Sequence, residues 1–187
     1  AGTMAGHLGA AVTAGYFLGE EQPDLEDPVC EAIERELDRI MAGDEAIWFN
    51  PQKAGVTIPQ LFAPFPEAPA DERKIDSIAE SLAKSIDTLR QSGHNVIFAS
   101  IAIRALRDHP DFATDDIVSG INKLIRKFDG QVQGRGYFGK ERGWIIGDKL
   151  TLPDDDSLPP MDSEQAMVAV VMDELIRLAS QRRQGFG

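Results

Sequence analysis

Two histidines, His7 and His94, carry the strongest indication of chemistry in this sequence. Each follows a glycine and opens an apolar segment, GHLGAAVTAGYFLGE in the first case and GHNVIFASIAIRALRD in the second. If both segments are helices, each imidazole lies in a first turn, where the helix dipole favours the neutral ring. Two such imidazoles could bind an anionic or carbonyl group, act as acid and base, or hold a metal ion. His7 and His94 are therefore the candidate catalytic residues, and the simpler alternative is that each bonds to a nearby backbone group.

A second cluster lies in the segment GRGYFGKERGW, where cationic and aromatic side chains stand among glycines. Its candidate ligand-binding residues are Arg135, Tyr137, Lys140 and Trp144, because aromatic faces can stack on a ligand and the cations attract anions. The spacing also matches the start of a phosphate-binding loop, but Glu141 stands where that loop needs serine or threonine. The alternative is a packed loop whose arginines pair with the surrounding carboxylates.

A third aromatic and polar segment, WFNPQK, contributes Trp48 and Asn50 as candidate ligand-binding residues. An Asn-Pro turn held by aromatic anchors is the simpler interpretation. The acidic run DDDSLPPMD lacks the spacing and the glycine of an EF-hand, so calcium is weakly supported. The single cysteine, Cys30, occupies an apolar helical position, where a small buried side chain is expected. The sequence therefore assigns no metal site, and the cofactor stays unknown.

Helices are predicted to position these residues. The two Gly-His segments are apolar on all sides, which predicts burial on most faces. Each is followed by an amphipathic segment with one apolar stripe, which indicates a helix at the surface. Loops rich in glycine, proline and aromatic residues are expected over residues 44–70 and 130–160, with a small hairpin around Gly147-Asp148. The predicted helices cover residues 6–20, 27–41, 71–91, 93–108, 115–128 and 162–182.

An internal repeat relates the two helix pairs. The Gly-His dipeptides align, and a Pro-Asp pair follows each apolar segment at the same distance, at Pro23 and Pro110. We therefore expect a single helical-repeat domain, with units of about 3–70 and 71–160 and a third begun at 161–187. The last residues resemble the run-up to the second Gly-His, which suggests either a fragment of a longer chain or a subunit that covers the C-terminal end. The alternative is that the C-terminal helix simply ends the domain.

Alternating apolar and amphipathic helices indicate an inner and an outer layer. This layering resembles the α/α-toroid class, which includes the terpenoid-cyclase-like and six-hairpin glycosidase-like folds. The resemblance implies an all-α fold in which one set of inner-helix ends rims a central cavity. The D-x-D-D motif of class II terpene cyclases is absent, since Asp154, Asp155 and Asp156 lie in a proline-rich loop. The expected architecture is a partial α/α-toroid or an α-solenoid.

Charge and composition limit the partners. The net charge is −12 and the isoelectric point about 4.6, and such a chain repels polyanions, so no nucleic-acid partner is expected. No apolar run is long enough to span a membrane and no signal peptide is recognisable, which suggests a cytoplasmic location. A small-molecule ligand is expected, and a homo-oligomer is compatible with the sequence.

The function that the sequence favours is a cavity-containing helical domain. It would bind or act on a small polar, anionic or carbohydrate-like ligand near His7 and His94. The alternative is a non-catalytic helical-repeat scaffold for protein–protein interaction. Long loops rich in aromatic residues and cations favour the first, because connections in compact helical arrays are usually short. Whether the protein is an enzyme stays open at this level.

Overall fold

Helices form most of the structure, and the prediction of a mainly helical fold is confirmed. The computed structural model describes residues 2–44, 50–85, 87–149 and 162–180. Within these ranges no helix is both long and apolar enough to cross a membrane. Residues 1–150 and 151–187 form two compact units. The elements are α1 (Gly6–Glu21), α2 (Asp27–Ala42), α3 (Pro51–Ala54), α4 (Ile58–Leu61), α5 (Asp76–Ala83), α6 (His94–Asp108), α7 (Asp115–Arg126), β1 (Arg135–Tyr137), α8 (Gly139–Arg142), β2 (Trp144–Ile146) and α9 (Glu164–Ser180).

The hydrophobic core of the first unit lies between α5, α6 and α7. The apolar residues of each helix recur on one face, and these faces meet in the core. Ile75, Ile78, Ile125 and Phe128 are almost completely buried, and Phe98 is 3% exposed. Helix α1 packs against both α6 and α2, so it connects this core to the amphipathic helix α2.

The bounds of α2 follow from its terminal residues. Pro28 lies in the first turn, where its missing N–H costs no helical hydrogen bond. Gly43 ends the helix in the left-handed conformation with φ of 92°, and its N–H donates to the carbonyl oxygen of Ile40. On the apolar stripe, Leu37 packs against Gly15 of α1. The helix predicted for residues 27–41 is confirmed.

Burial on most faces, which the sequence predicted for α1 and α6, is wrong. In α1 the buried side chains are Leu8 and Phe17, whereas Leu18 is 44% exposed. In α6 Val96 and Ile97 are exposed. Helix α1 has α2 and α6 as its main helical neighbours, so one of its faces stays open within the described part of the chain. Small and apolar residues all around a helix therefore do not by themselves make it an interior helix.

The helix predicted for residues 71–91 is shorter in the structure. A 3₁₀ turn at Glu72–Lys74 precedes α5, and Ile86 lies outside the described residues. The end of α5 follows from Ser85, whose N–H and Oγ both donate to the carbonyl oxygen of Leu82, at 2.9 Å and 3.3 Å. A hydroxyl that binds the backbone locally competes with continuation of the helix.

The hairpin predicted around Gly147-Asp148 is wrong, and a different hairpin forms earlier in the same loop. Strands β1 and β2 pair antiparallel, and the reversal between them contains α8. Gly139 begins this helix and Gly143 follows it, with φ of 87° and 65°, values that glycine adopts without a Cβ clash. The residues predicted as the turn belong instead to a 3₁₀ turn that follows β2.

We expect opposite stability changes from Gly120→Ala and Gly6→Ala. Gly120 is exposed within α7 with open space beyond its Cβ position. Alanine there should raise the free energy of unfolding by about 0.5–1 kcal/mol. A Cβ on Gly6 would lie 2.6 Å from the Phe98 ring. Such overpacking should lower the free energy of unfolding by about 1–3 kcal/mol. Urea denaturation measures both changes, and stabilisation by both would contradict the close packing of α1 on Phe98.

Candidate functional site

The two histidines predicted as catalytic residues lie against each other. Helices α1 and α6 run parallel, and Glu21 pairs with Arg104 near their C-terminal ends. His7 and His94 consequently lie at matching N-terminal ends, with ring centroids 4.7 Å apart and ring planes at 65°. Their Nε2 atoms are 3.0 Å apart. Both residues are half-buried, so the pair is accessible from one side.

Backbone carbonyl groups fix the orientation and the tautomer of both rings. The Nδ1 atom of His7 lies 2.8 Å from the carbonyl oxygen of Met4, and Nδ1 of His94 bonds to the carbonyl oxygen of Gln91. A carbonyl oxygen only accepts hydrogen bonds, so each Nδ1 carries the hydrogen. In the neutral rings each Nε2 then keeps a lone pair, and the two lone pairs face each other. Each histidine therefore bonds to a nearby backbone carbonyl group, which was the simpler alternative to a functional role. The two rings nevertheless also lie against each other.

Phe98 supports both imidazoles from below. Its ring packs edge-to-face on His7 at 5.3 Å and on His94 at 5.7 Å between centroids. It also contacts the fully buried Phe128, which ties the histidine pair to the core. Gly6 allows this arrangement, because a side chain there would collide with the Phe98 ring.

A strained turn holds His94 in place. Gln91 and Ser92 have positive φ of 43° and 58° although neither is glycine, and Gly93 follows at 84°. Non-glycine residues in this region cost about 1–3 kcal/mol each and persist where the surrounding structure fixes them. Two backbone hydrogen bonds stabilise this conformation, because the N–H groups of Gln91 and Ser92 donate to the carbonyl oxygens of residues 132–133. Because of this conformation the Gln91 carbonyl points at the His94 ring.

Three of the four cationic and aromatic residues predicted as a second cluster come together on the β1–β2 hairpin. The Arg135 guanidinium lies 5.0 Å from the centre of the Trp144 ring, and the Tyr137 ring lies 5.6 Å from the same ring. Trp144 is 61% exposed, so the cluster is accessible to a ligand. Lys140 lies on the neighbouring short helix α8.

The hairpin adjoins the His94 turn through the backbone at its base. A Cβ on Gly134, which directly precedes β1, would lie 2.9 Å from the backbone nitrogen of Ser92. Nearby, Arg90 Nη1 donates to the carbonyl oxygen of Gln131 at 3.0 Å. The hairpin cluster and the imidazole pair are therefore connected through the same turn, while the hairpin side chains form a cluster of their own.

The remaining candidate residues have structural or separate positions. Trp48 lies outside the described residues. Asn50 accepts a hydrogen bond from the N–H of Lys53 at 2.8 Å, as a residue capping the start of α3 does. His109 bonds through Nε2 to the Tyr16 hydroxyl at 2.9 Å. Asn50 and His109 thus have local partners away from the imidazole pair.

An open groove of about 510 Å³ lies beside the imidazole pair and is lined by α1, α6 and α7. On α1 its lining is made by Gly6, Gly9, Ala10 and Thr13, which share one helical face. The sequence predicted a central cavity rimmed by the ends of the inner helices, whereas this groove is open and its lining is mostly apolar. It meets the imidazoles at Phe98, which lines the groove and contacts both rings.

Sequence reasoning missed Met4, Gln91 and Phe98 as parts of the site. The spacing of Phe98 was a usable signal, because it lies one helical turn after His94 and so shares its face. The two carbonyl groups have no side-chain signal, since any residue three positions before the histidine supplies one.

The geometry defines what this site can do. It presents two imidazole nitrogens with converging lone pairs, held from behind by carbonyl groups and from below by an aromatic ring. Such nitrogens can share a proton, coordinate a metal ion, or exchange a proton with a bound molecule. A comparison of the chain with known protein families, curated proteins and solved structures finds no match.

Proposed function

We propose that the protein binds a small polar or anionic ligand at the imidazole pair of His7 and His94. The observation that carries this proposal is the 3.0 Å separation of two Nε2 atoms whose Nδ1 atoms both donate to carbonyl groups. Two facing lone pairs repel, so the arrangement favours a positively charged species at the nitrogens. A half-buried positive charge makes strong hydrogen bonds and ion pairs with an anionic group.

The helix ends support an anionic ligand. The N-termini of α1 and α6 lie side by side, and a helix N-terminus carries the equivalent of about half a positive charge. It also presents N–H groups without helical partners, which is why phosphate and carboxylate groups bind at such ends. The chain as a whole has a net charge of −12. A small anion would therefore be attracted locally, whereas an extended polyanion would be repelled.

The hairpin cluster would extend the site towards a carbohydrate-like ligand. Arg135, Tyr137, Lys140 and Trp144 would supply stacking faces and positive charge. The support for this role is the exposure of Trp144 and the link between the hairpin and the His94 turn. If the protein catalyses a reaction of its ligand, His7 and His94 would be the catalytic residues, because an Nε2 lone pair can accept a proton from a bound molecule.

The helical-repeat architecture, as a partial α/α-toroid or an α-solenoid, is part of the same proposal. Its support is that α1 and α6 lie parallel with their histidines at matching ends. Each histidine also bonds to the carbonyl group three residues before it. If the helix pair is a structural repeat, the same local geometry occurs twice, which explains both the matching histidine positions and their matching backbone bonds.

We expect His7→Gln and His94→Gln each to weaken binding of a small anion by roughly ten- to hundredfold, since a hydrogen bond to a charged group contributes about 1.5–3 kcal/mol. The measurement is a titration of the protein with inorganic phosphate and with acetate, followed through the ¹⁵N signals of the histidine rings. His109→Gln is the matched control, because it makes the same change at a histidine that bonds to Tyr16. Unchanged His7 and His94 signals in the wild type would contradict the proposal.

The groove beside the imidazoles favours a second function, a scaffold that binds another protein. Its apolar lining and its volume of about 510 Å³ suit an apolar segment of a partner. On this alternative the two histidine substitutions would leave partner binding unchanged, because the small residues of α1 and the facing residues of α6 and α7 form the contact surface. The histidine titration therefore separates the two functions.

A further inference from the structure

We propose that the Nε2 atoms of His7 and His94 hold one divalent transition-metal ion. This inference rests on the proposed function, because it names the group through which the same site would bind its anionic ligand. The two nitrogens are 3.0 Å apart, close enough for both to contact one ion. The sequence left a metal ion as one of several possibilities for the two imidazoles, and the choice among them comes from the tertiary contact between the two rings.

The separation of the nitrogens fits two adjacent positions around one ion. Zinc binds imidazole nitrogen at about 2.0–2.1 Å, and two nitrogens 3.0 Å apart at that distance subtend an angle of about 94° at the metal. Tetrahedral coordination needs a separation only a few tenths of an ångström larger, which a small rotation of either ring supplies. A linear ion between the rings would need them farther apart, so the geometry favours adjacent positions.

The backbone contacts are those of metal-binding histidines. A histidine that binds a metal through one ring nitrogen usually donates the other N–H to a carboxylate or carbonyl group, which fixes the tautomer and the ring orientation. Both rings do this, to the carbonyl oxygens of Met4 and Gln91. For His94 the acceptor is held by the strained residues Gln91 and Ser92. Backbone strain at Gln91 and Ser92 is expected if the His94 ring must be held in one orientation.

The ligand atoms limit which ion would bind. Imidazole nitrogen suits zinc, cobalt, nickel and copper, whereas magnesium and calcium prefer oxygen. Among the residues that the structure describes, no group of three or more histidine, cysteine and acidic residues surrounds a common point. The proposed ion therefore has two protein ligands in the described part of the chain, and its other positions would bind water or the anion.

The helix dipoles act against a cation but do not decide the outcome. The N-termini of α1 and α6 oppose a positive charge, an effect confined to the first turn and weakened by salt. An anion on the open positions of the ion would remove the opposition, so metal and anion are expected to bind more tightly together than either alone.

The test is a titration of native protein, freed of metal by a chelator, with Zn²⁺ and with Co²⁺. Isothermal calorimetry should give one Zn²⁺ per chain, and the visible absorption of Co²⁺ should report nitrogen coordination. His7→Gln and His94→Gln should each weaken binding by roughly a hundredfold or more, since even loss of a contact behind a ligand costs about 10–100-fold in metal affinity. His109→Gln should bind as the wild type does, and circular dichroism checks that all variants are folded.

The outcomes distinguish this inference from the function on which it rests. Equal Zn²⁺ binding by the wild type and by the double variant His7→Gln/His94→Gln would overturn the metal site. Phosphate binding to metal-free wild type that disappears in the double variant, but that added Zn²⁺ does not strengthen, would also overturn it, while the proposed function stands with a shared proton at the nitrogens. Zinc binding that depends on both histidines, without any phosphate or acetate binding, would support the metal site and contradict the proposed function.

Discussion

Phe98→Ala is expected to lower the free energy of unfolding by about 3–5 kcal/mol, the usual cost of removing a large aromatic side chain from a core. Phe98 is 3% exposed and contacts Phe128 in the core and the rings of His7 and His94 above it. Its removal would leave a cavity between α1, α6 and α7. Urea denaturation followed by circular dichroism gives the free energy, and the histidine ¹⁵N signals report the loss of ring convergence.

Two further substitutions control this experiment. Phe112→Ala removes the same side chain at a position that is 61% exposed, so it should change the free energy of unfolding by well under half as much. Phe98→Leu keeps most of the buried volume and should recover much of the stability, but without an aromatic ring it should not restore the edge-to-face support of the imidazoles. Equal losses for Phe98→Ala and Phe112→Ala would show that Phe98 does not link the histidine pair to the core.

Gly134→Ala is expected to lower the free energy of unfolding by about 2–4 kcal/mol, because it combines two costs. Gly134 has φ of 99°, a left-handed conformation that alanine adopts with strain. Its Cβ would also lie 2.9 Å from the backbone nitrogen of Ser92, and a backbone atom cannot move aside as a flexible side chain can. The turn that holds His94 would have to shift, so we expect the His94 ring signals to move as well.

Gly130→Ala is the matched control for the Gly134 substitution. Gly130 also has a positive φ, 72°, but space beyond its Cβ position is open. Only the backbone cost of about 1 kcal/mol should appear there, and the His94 signals should stay in place. The difference between the two variants in the free energy of unfolding, measured by urea denaturation, gives the cost of the close contact with Ser92. If the two glycines give the same loss and the same spectra, the contact between the hairpin base and the His94 turn does not position the histidine.

The repeated Gly-His dipeptide shows how one sequence pattern can have two physical causes. At Gly6 the requirement is close packing, because any side chain would meet the Phe98 ring. At Gly93 the requirement is conformational, because φ is 84°. The alignment of the two dipeptides drew attention to the histidines, but it could not show that each glycine is needed for a different reason.

By itself the sequence determined the helical class and the positions of most helices, and it singled out His7 and His94 as candidates. These features depend on local periodicity, on proline and glycine at helix ends, and on spacing along the chain. The convergence of the two Nε2 atoms was decided by the packing of α1 on α6. The same packing left α1 open on one face, contrary to the burial that its composition suggested.

The tautomer of the rings and the position of the hairpin were also decided at the tertiary level. Both depend on backbone groups, the carbonyls of Met4 and Gln91 and the contact of Gly134 with Ser92. Side-chain patterns describe which face of an element is apolar, but every residue has the same carbonyl and N–H groups. Where those groups meet is therefore fixed only when distant segments are brought together in space.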